Sequence, residues 1–355
     1  MEQSVYLAGT ASSDLPTWVQ FKELSAYFLR HGFVIKQSFP TTFYIGMNHA
    51  KDEYSSFIKA GGKKSRAALV LLEPRAVYAA QYKSNVLEKY SLVLRPGNPT
   101  FGNSKHVFIG WPYELNPNPL IPSNEDKSLI GTIHENIRDN LFDFASWNHR
   151  SDYLVIINSN KVSAISVENY SLRRCFAKGI EKEFLSVYGD LWGGSFIKKV
   201  RHRIEVLFFS ITSGVMPNVK SIYGSLHVKY PGSKGAIPDK HEVLKNSKFN
   251  IVIENDPSYI SEKLFDSMIN GSIPIYSGPV IPDGIVPRGT YIPLPEHANL
   301  LLPMLESLSD SDLSLLLSNI KDFVSSNDFV TVWSKEMVFA EIGQTIVKHF
   351  GSIDG

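Results

Sequence analysis

At 355 residues the chain is too long for one ordinary hydrophobic core, so two domains are expected. Its 43% hydrophobic and 20% charged residues exclude a disordered chain, and 36 basic against 35 acidic side chains (net charge +1) exclude a dedicated nucleic-acid binder. One cysteine excludes an intrachain disulfide and a thiolate zinc cluster, and no window approaches the ~20 apolar residues of a bilayer span.

The first half alternates strand-like and helix-like segments. SVYLAG (Ser4 to Gly9) is a short apolar strand with no secretory-signal pattern around it. Phe21, Leu24, Tyr27 and Phe28 then follow helical spacing up to a stop at Gly32. FVIKQSF, AALVLLEP (Ala67 to Pro74) and YSLVLRPG predict further strands. From Asn98 to Lys127 the chain is rich in Pro, Asn and Gly, which predicts loops around a short strand, HVFIGWP. A strand–helix–strand rhythm is the pattern of a parallel sheet covered on both faces.

A second alternating run starts near Asp152, which places the boundary between domains 1–148 and 149–355. YLVIINSN predicts a buried strand, YSLRRCFAKGI a basic amphipathic helix with Cys175 as a buried inert thiol, and FLSVYGD a strand before the Trp192-Gly193-Gly194 turn. SKFNIVIEND is the strongest strand, followed by SIPIYSGP and GTYIPL. The tail is helical by period, and its last helix is expected to pack back on the N-terminal domain. Two α/β halves of this kind are the pattern of two Rossmann-like domains facing a cleft.

The segment from Lys248 to Pro279 carries the chemistry. Asp256 is a good N-cap and Pro257 suits a first helical position, so a helix is predicted from there to about Asn270, stopped by Gly271. Ile260, Leu264, Phe265 and Met268 stripe one face; Tyr259, Glu262, Lys263 and Asp266 share another. A helix N-terminus beyond a parallel strand favours phosphorylated ligands; Lys263 adds a charge and Glu262 can accept from sugar hydroxyls.

This segment resembles the donor-site signature of the α-1,3/α-1,4-fucosyltransferases (glycosyltransferase family 10). The matching residues are Phe249, Glu254, Asn255, Tyr259, Ile260, Glu262, Lys263, Leu264, Gly271, Pro274, Gly278 and Pro279, with Ser258 and Ser261 departing from the family's Asp and Thr. The similarity continues over roughly Asp152 to Leu294. Asn158, Ser159, Asn160 and Lys161 look like the family's strand-end Ser-Asn element, and either Arg173 or Arg174 like its phosphate arginine. By itself a helical Arg-Arg pair is a solvated face. The resemblance implies the GT-B architecture, GDP-fucose as donor, inversion at the anomeric carbon and no bound metal or other cofactor. It also implies donor-binding roles for Asn160, Lys161, Arg173, Arg174, Glu254, Asn255, Tyr259, Glu262 and Lys263.

Inverting transfer needs a base for the acceptor hydroxyl. Glu73, closing the buried strand ALVLLEP, is the candidate, ahead of Glu114 and Glu125 on loops. The expected partners are a nucleotide-sugar donor and a glycan acceptor. Surface-polysaccharide or lipopolysaccharide assembly is the expected setting, in the cytoplasm or at the inner face of the membrane through peripheral contact. Asp310-Ser311-Asp312, the only Asp-x-Asp, reads as helix capping, not a metal motif. Three rival readings remain: the same fold with another nucleotide sugar, a non-catalytic sugar-nucleotide-binding module, and an NAD-dependent oxidoreductase. The last is disfavoured because no G-x-G-x-x-G follows a strand.

Overall fold

A computed structural model describes residues 3–9, 17–96, 106–109, 129–193, 196–212, 214–226, 230, 233–237, 239–281 and 284–351. Contacts divide the chain into two compact units, residues 1–126 with 330–355, and residues 127–329.

In the first unit the order is β1 (Ser4–Ala8), α1 (Thr17–Arg30), β2 (Val34–Ile35), β3 (Phe43–Met47), α2 (Lys51–Lys59), β4 (Ala67–Val70), α3 (Ser84–Leu87), β5 (Leu92–Pro96) and β6 (His106–Ile109). The strands form one parallel sheet, ordered β2-β1-β3-β4-β5-β6. Side chains alternate between its faces, and every residue of β1, β3 and β4 is buried, which is why β1 and β4 read as unbroken apolar runs. Val5, Leu7 and Ile45 pack with Leu24 and Phe28 of α1; Tyr6, Ala8 and Tyr44 pack with Tyr54 and Phe57 of α2. Val338, Phe339, Ile342 and Ile346, from the chain's last helix, complete the first of these cores.

The second unit begins with α4 (Leu129–Arg138) and α5 (Phe144–Asn148). These helices lie before the expected boundary at 148/149, yet side chains bind them to this unit. Asn136 Nδ2 donates to the Ile269 carbonyl at 2.8 Å, and Trp147 Nε1 to that of Lys248 at 3.0 Å. Then follow β7 (Asp152–Ile157), α6 (Tyr170–Gly179), β8 (Leu185–Tyr188), α7 (Phe196–Thr212), α8 (Val219–Leu226), β9 (Ser233–Gly235), α9 (Lys240–Lys245), β10 (Ser247–Ile253), α10 (Lys263–Ile269), β11 (Ile273–Ser277), β12 (Ile292–Pro293), α11 (Leu301–Glu306) and α12 (Asp310–Val324). α13 (Asn327–Trp333) returns the chain to the first unit, where α14 (Lys335–Gly351) belongs.

The second sheet is also parallel, ordered β12-β11-β10-β7-β8-β9. Phe249, Ile251, Val252 and Ile253 of β10 are at most 1% exposed, each burial contributing about 1.5–3 kcal/mol. Arg150 staples the layers through the carbonyls of Leu141, Leu244, Ser247 and Asn270, at 2.8–3.3 Å. Gly271 has φ +64 and ends α10 where a Cβ would collide with the Leu141 carbonyl, so its stop signal has a packing reason too. Ser309 and Asp312 form a reciprocal capping box on α12, the role expected of that acidic triplet.

FVIKQSF contributes only the two-residue β2. Three elements of the first unit have no counterpart in the expectations above: β3, α2 and α3. In the second unit the same holds for α4, α5, α7, α8, β9, α9 and α11. Cys175 is exposed, contrary to its expected burial, because Tyr170, Arg173, Arg174, Phe176 and Ala177 occupy the inward face of α6.

Candidate functional site

In the second sheet, strands after β7 are added on one side and strands from β10 onward on the other. That reversal opens a crevice at the carboxyl ends of β7 and β10, the place where open α/β sheets bind ligands. Two loops leave the sheet there, 158–161 after β7 and 254–262 after β10.

The second loop differs from the expected helix. Glu254 is fully buried, and its carboxylate accepts from the Ser261 N–H at 2.8 Å and Oγ at 2.6 Å. Asp256 does not cap a helix; its Oδ1 accepts from the N–H and Oγ of Ser258, at 2.9 and 2.6 Å, in a local turn. With those donors taken, the chain stays irregular through Pro257 and Tyr259, and α10 starts only at Lys263, with Glu262 at the N-cap position. The expected shared face of Tyr259 with Glu262 and Lys263 therefore does not form, nor does a helix N-terminus at Pro257. Tyr259 and Ile260 are each 3% exposed and anchor the loop to the core.

Lys263 Nζ donates to Ser261 Oγ at 2.9 Å and lies 3.8 Å from Glu262 Oε1, giving a run from ammonium through hydroxyl to the Glu254 carboxylate. Burial pushes the Glu254 carboxyl up, against the pull of Lys263. Burial raises Glu262 as well, but there the ammoniums of Lys263 and Lys240 win and hold the carboxyl below its usual range. Lys240 pairs with the buried Asp266 at 2.6 Å. A pocket of about 70 Å³ joins these charges to the end of β7; Ile157, Asn158, Lys240, Glu262, Lys263 and Asp266 line it. It is well short of the roughly 300 Å³ of a whole small-molecule site, so by itself it holds no more than a fragment of a ligand.

Both arginines of α6 are buried rather than solvated. Arg173 donates to the Ile253 carbonyl through Nε at 3.0 Å and through Nη2, and to Asn255 Oδ1 at 2.7 Å. Arg174 donates to the Lys161 carbonyl at 2.9 Å, to Asn160 Oδ1 at 3.4 Å, and to the hydroxyls of Ser171 and Ser221. One arginine thus ties down the loop after β10 and its neighbour the loop after β7. Desolvation lowers the pKa of both guanidiniums. Asn160 is buried, its Nδ2 donating to the Leu191 carbonyl at 3.1 Å, whereas Lys161 is exposed. Gly189 at the end of β8 has φ +121, and a side chain there would strike the Asn158 carbonyl.

Sequence reasoning missed Ser261, Lys240 and Arg203. Arg203, on α7, is 3% exposed and donates to the Asn160 carbonyl at 3.2 Å and to Ser225 Oγ at 3.1 Å, while its Nη1 is buried with no protein acceptor. Only Ser261 carried a sequence signal, its departure from the family's Thr; Lys240 and Arg203 lie in segments that carry none.

The first sheet reverses between β1 and β3. Glu73 lies at a bend three residues past β4, exposed, with its carbonyl accepting from Tyr82 Oη at 2.8 Å. Glu114 and Glu125 lie outside the described residues. Two groups not singled out from the sequence stand closer to the reversal. Glu53 accepts from the Gly9 N–H at 3.2 Å and from Tyr6 Oη at 2.8 Å, and His49 follows β3. His49 Nδ1 lies 2.6 Å from Tyr90 Oη, and burial, with Lys89 and Lys51 nearby, lowers its pKa to about 4.

No protein-family model matches the chain, and no curated protein matches it. Solved structures do. An α1,3-fucosyltransferase with GDP superposes at a TM-score of 0.51 and 13% identity, over 99% of this chain and 90% of that one. Anabaena HepE in complex with UDP and glucose superposes at 0.51 and 9% identity, over 98% of this chain and all of the other. At such identities the likeness shows the fold: two Rossmann-like units of the GT-B glycosyltransferase type.

Proposed function

We propose that the chain is an inverting, metal-independent glycosyltransferase that moves fucose, or a related sugar, from a GDP-sugar to a glycan hydroxyl in surface-polysaccharide or lipopolysaccharide synthesis. One observation carries the reading. The two segments with the motif residues, 158–161 and 254–263, meet at the reversal point of the second sheet and are tied there by adjacent arginines. Lys263 and the exposed Lys161 supply positive charge for the departing diphosphate. Glu262, held ionised by two ammoniums, accepts from sugar or ribose hydroxyls. Arg173, Arg174, Glu254, Asn255, Asn160 and Tyr259 hold the loops in shape. Glu73 takes the acceptor proton as the acceptor oxygen bonds to the anomeric carbon and the bond from that carbon to the diphosphate breaks.

The test is a donor panel on the full chain, with GDP-, UDP- and CMP-sugars and excess EDTA, reading nucleoside diphosphate or monophosphate release and sugar transfer. Turnover of a GDP-sugar that persists in EDTA is expected. Faster turnover of a UDP- or CMP-sugar overturns the guanine assignment, and loss in EDTA restored by manganese overturns metal independence.

A further inference from the structure

Helix α7 is built inside out. Its inward side chains are polar: Lys199, Arg203 and Ser210 are all under 5% exposed. Lys199 Nζ donates to the Trp192 carbonyl at 3.2 Å, Arg203 to Ser225 Oγ and the Asn160 carbonyl, and Ser210 Oγ to the Val215 carbonyl at 2.6 Å. These bonds fix the rotation of the helix, since turning it would leave buried donors unsatisfied. Outward, at positions 197, 204, 208 and 211, which helical spacing puts in one stripe, stand Ile197, Ile204, Phe208 and Ile211. They and Phe196 are each 61–76% exposed. Beside that stripe runs a charged one, Lys198, Arg201 and Glu205, with Arg201 and Glu205 paired at 2.9 Å. Just beyond the helix, Met216 and Val219 are also largely exposed.

Five large Phe and Ile side chains held this far out in water on one helix, with polar ones turned inward, are what a binding partner would cover. A 17-residue helix is roughly 25 Å long and 10 Å wide. Its footprint, about 250 Å², falls far below the ~800 Å² per partner of a stable protein interface. A second copy is therefore a poor fit. A helix with one apolar stripe of Phe and Ile and cations alongside suits the headgroup boundary of a bilayer, where apolar side chains sink a few ångströms and Lys or Arg stays at the anionic surface. We propose that the outward face of α7 docks on the surface of a bilayer containing anionic lipid. Among the described residues no helix is long and apolar enough to cross a membrane, so the contact is peripheral. Through Arg203 the docked helix also braces the loop after β7.

The full chain is floated with vesicles of phosphatidylcholine alone and of phosphatidylcholine with phosphatidylglycerol. Flotation with the anionic vesicles is expected, weakened at high salt. Ile204→Asp combined with Phe208→Asp should lower the affinity about tenfold or more with an unchanged melting temperature, because both side chains are exposed. Lys198→Glu with Arg201→Glu, which leaves the apolar stripe intact, should remove the preference for anionic lipid. The proposal is overturned if neither vesicle floats the wild type, or if both double variants float like it. It is equally overturned if light scattering shows a wild-type dimer that the Asp variant dissolves, since a second copy then covers the face. No step needs nucleotide, so a chain that floats without turning over any donor defeats the proposed activity and leaves the docking intact.

Discussion

Replacing Lys263 by alanine separates a structural lysine from one that meets a leaving diphosphate. In the fold the ammonium makes one hydrogen bond, to Ser261 Oγ at 2.9 Å, and one loose ion pair, to Glu262 at 3.8 Å, with both side chains partly exposed. The hydrogen bond contributes about 1.5–3 kcal/mol and the pair under about 1 kcal/mol. Lys263→Ala should therefore cost roughly 2–3 kcal/mol, and in a unit of this size lower the melting temperature by about 4–12 °C. If Lys263 also stabilises the departing diphosphate, a further loss of about 3–4 kcal/mol falls on the transition state alone, or roughly 10²–10³-fold in kcat/KM. The assay is GDP release from a GDP-sugar, well below the melting temperature of the variant. A folded Lys263→Ala protein whose kcat/KM stays within about fivefold of wild type would refute the assignment.

Three other outcomes are expected. Arg173→Lys cannot reproduce a guanidinium fork onto the Ile253 carbonyl and Asn255, so it should lower the melting temperature even without nucleotide, by several degrees; an unchanged apo melting temperature with weakened GDP binding would instead mark Arg173 as a direct phosphate ligand. Glu73→Gln should abolish transfer while GDP affinity in calorimetry stays near wild type, and an active Gln variant moves the search for the base to Glu53 or His49. The folded protein holds His49 neutral down to about pH 4 against an ordinary value of 6.5, so the unfolded chain binds the extra proton between those values. That contribution is present above about pH 6.5 and lost as the pH falls through about 4; with solvent screening it amounts to about 1–2 kcal/mol, and the drop in melting temperature from pH 7 to 5 should shrink in His49→Asn.

β4, β7 and β10 were legible because consecutive residues in each are buried on both faces and so appear as an apolar run. β3 was not, since FYIGM carries a glycine that breaks its apolar run, although it pairs with both β1 and β4 in the sheet. The start of α10 was misplaced for a reason outside local propensity: a buried carboxylate seven residues upstream of Ser261 claims the N–H that a longer helix would use. The arginine pair shows the same limit, because an Arg-Arg on an amphipathic helix carries no mark of the carbonyls it will meet. α7 escaped because the reading assumes that apolar side chains point inward, and here the polar ones do. The two segments that carry the motif stood out in sequence by identity and spacing, and the fold brings them to the ends of β7 and β10; which side chains hold them there depends on contacts made across the sheet.

Hydrogen–deuterium exchange of the full chain with and without GDP tests most directly whether the second unit holds the proposed nucleotide. Slowed exchange concentrated in peptides covering 158–161 and 254–263 is the predicted result, because bound diphosphate would order the two loops that leave β7 and β10. Protection confined to the first unit, or no protection anywhere at saturating GDP, would contradict it.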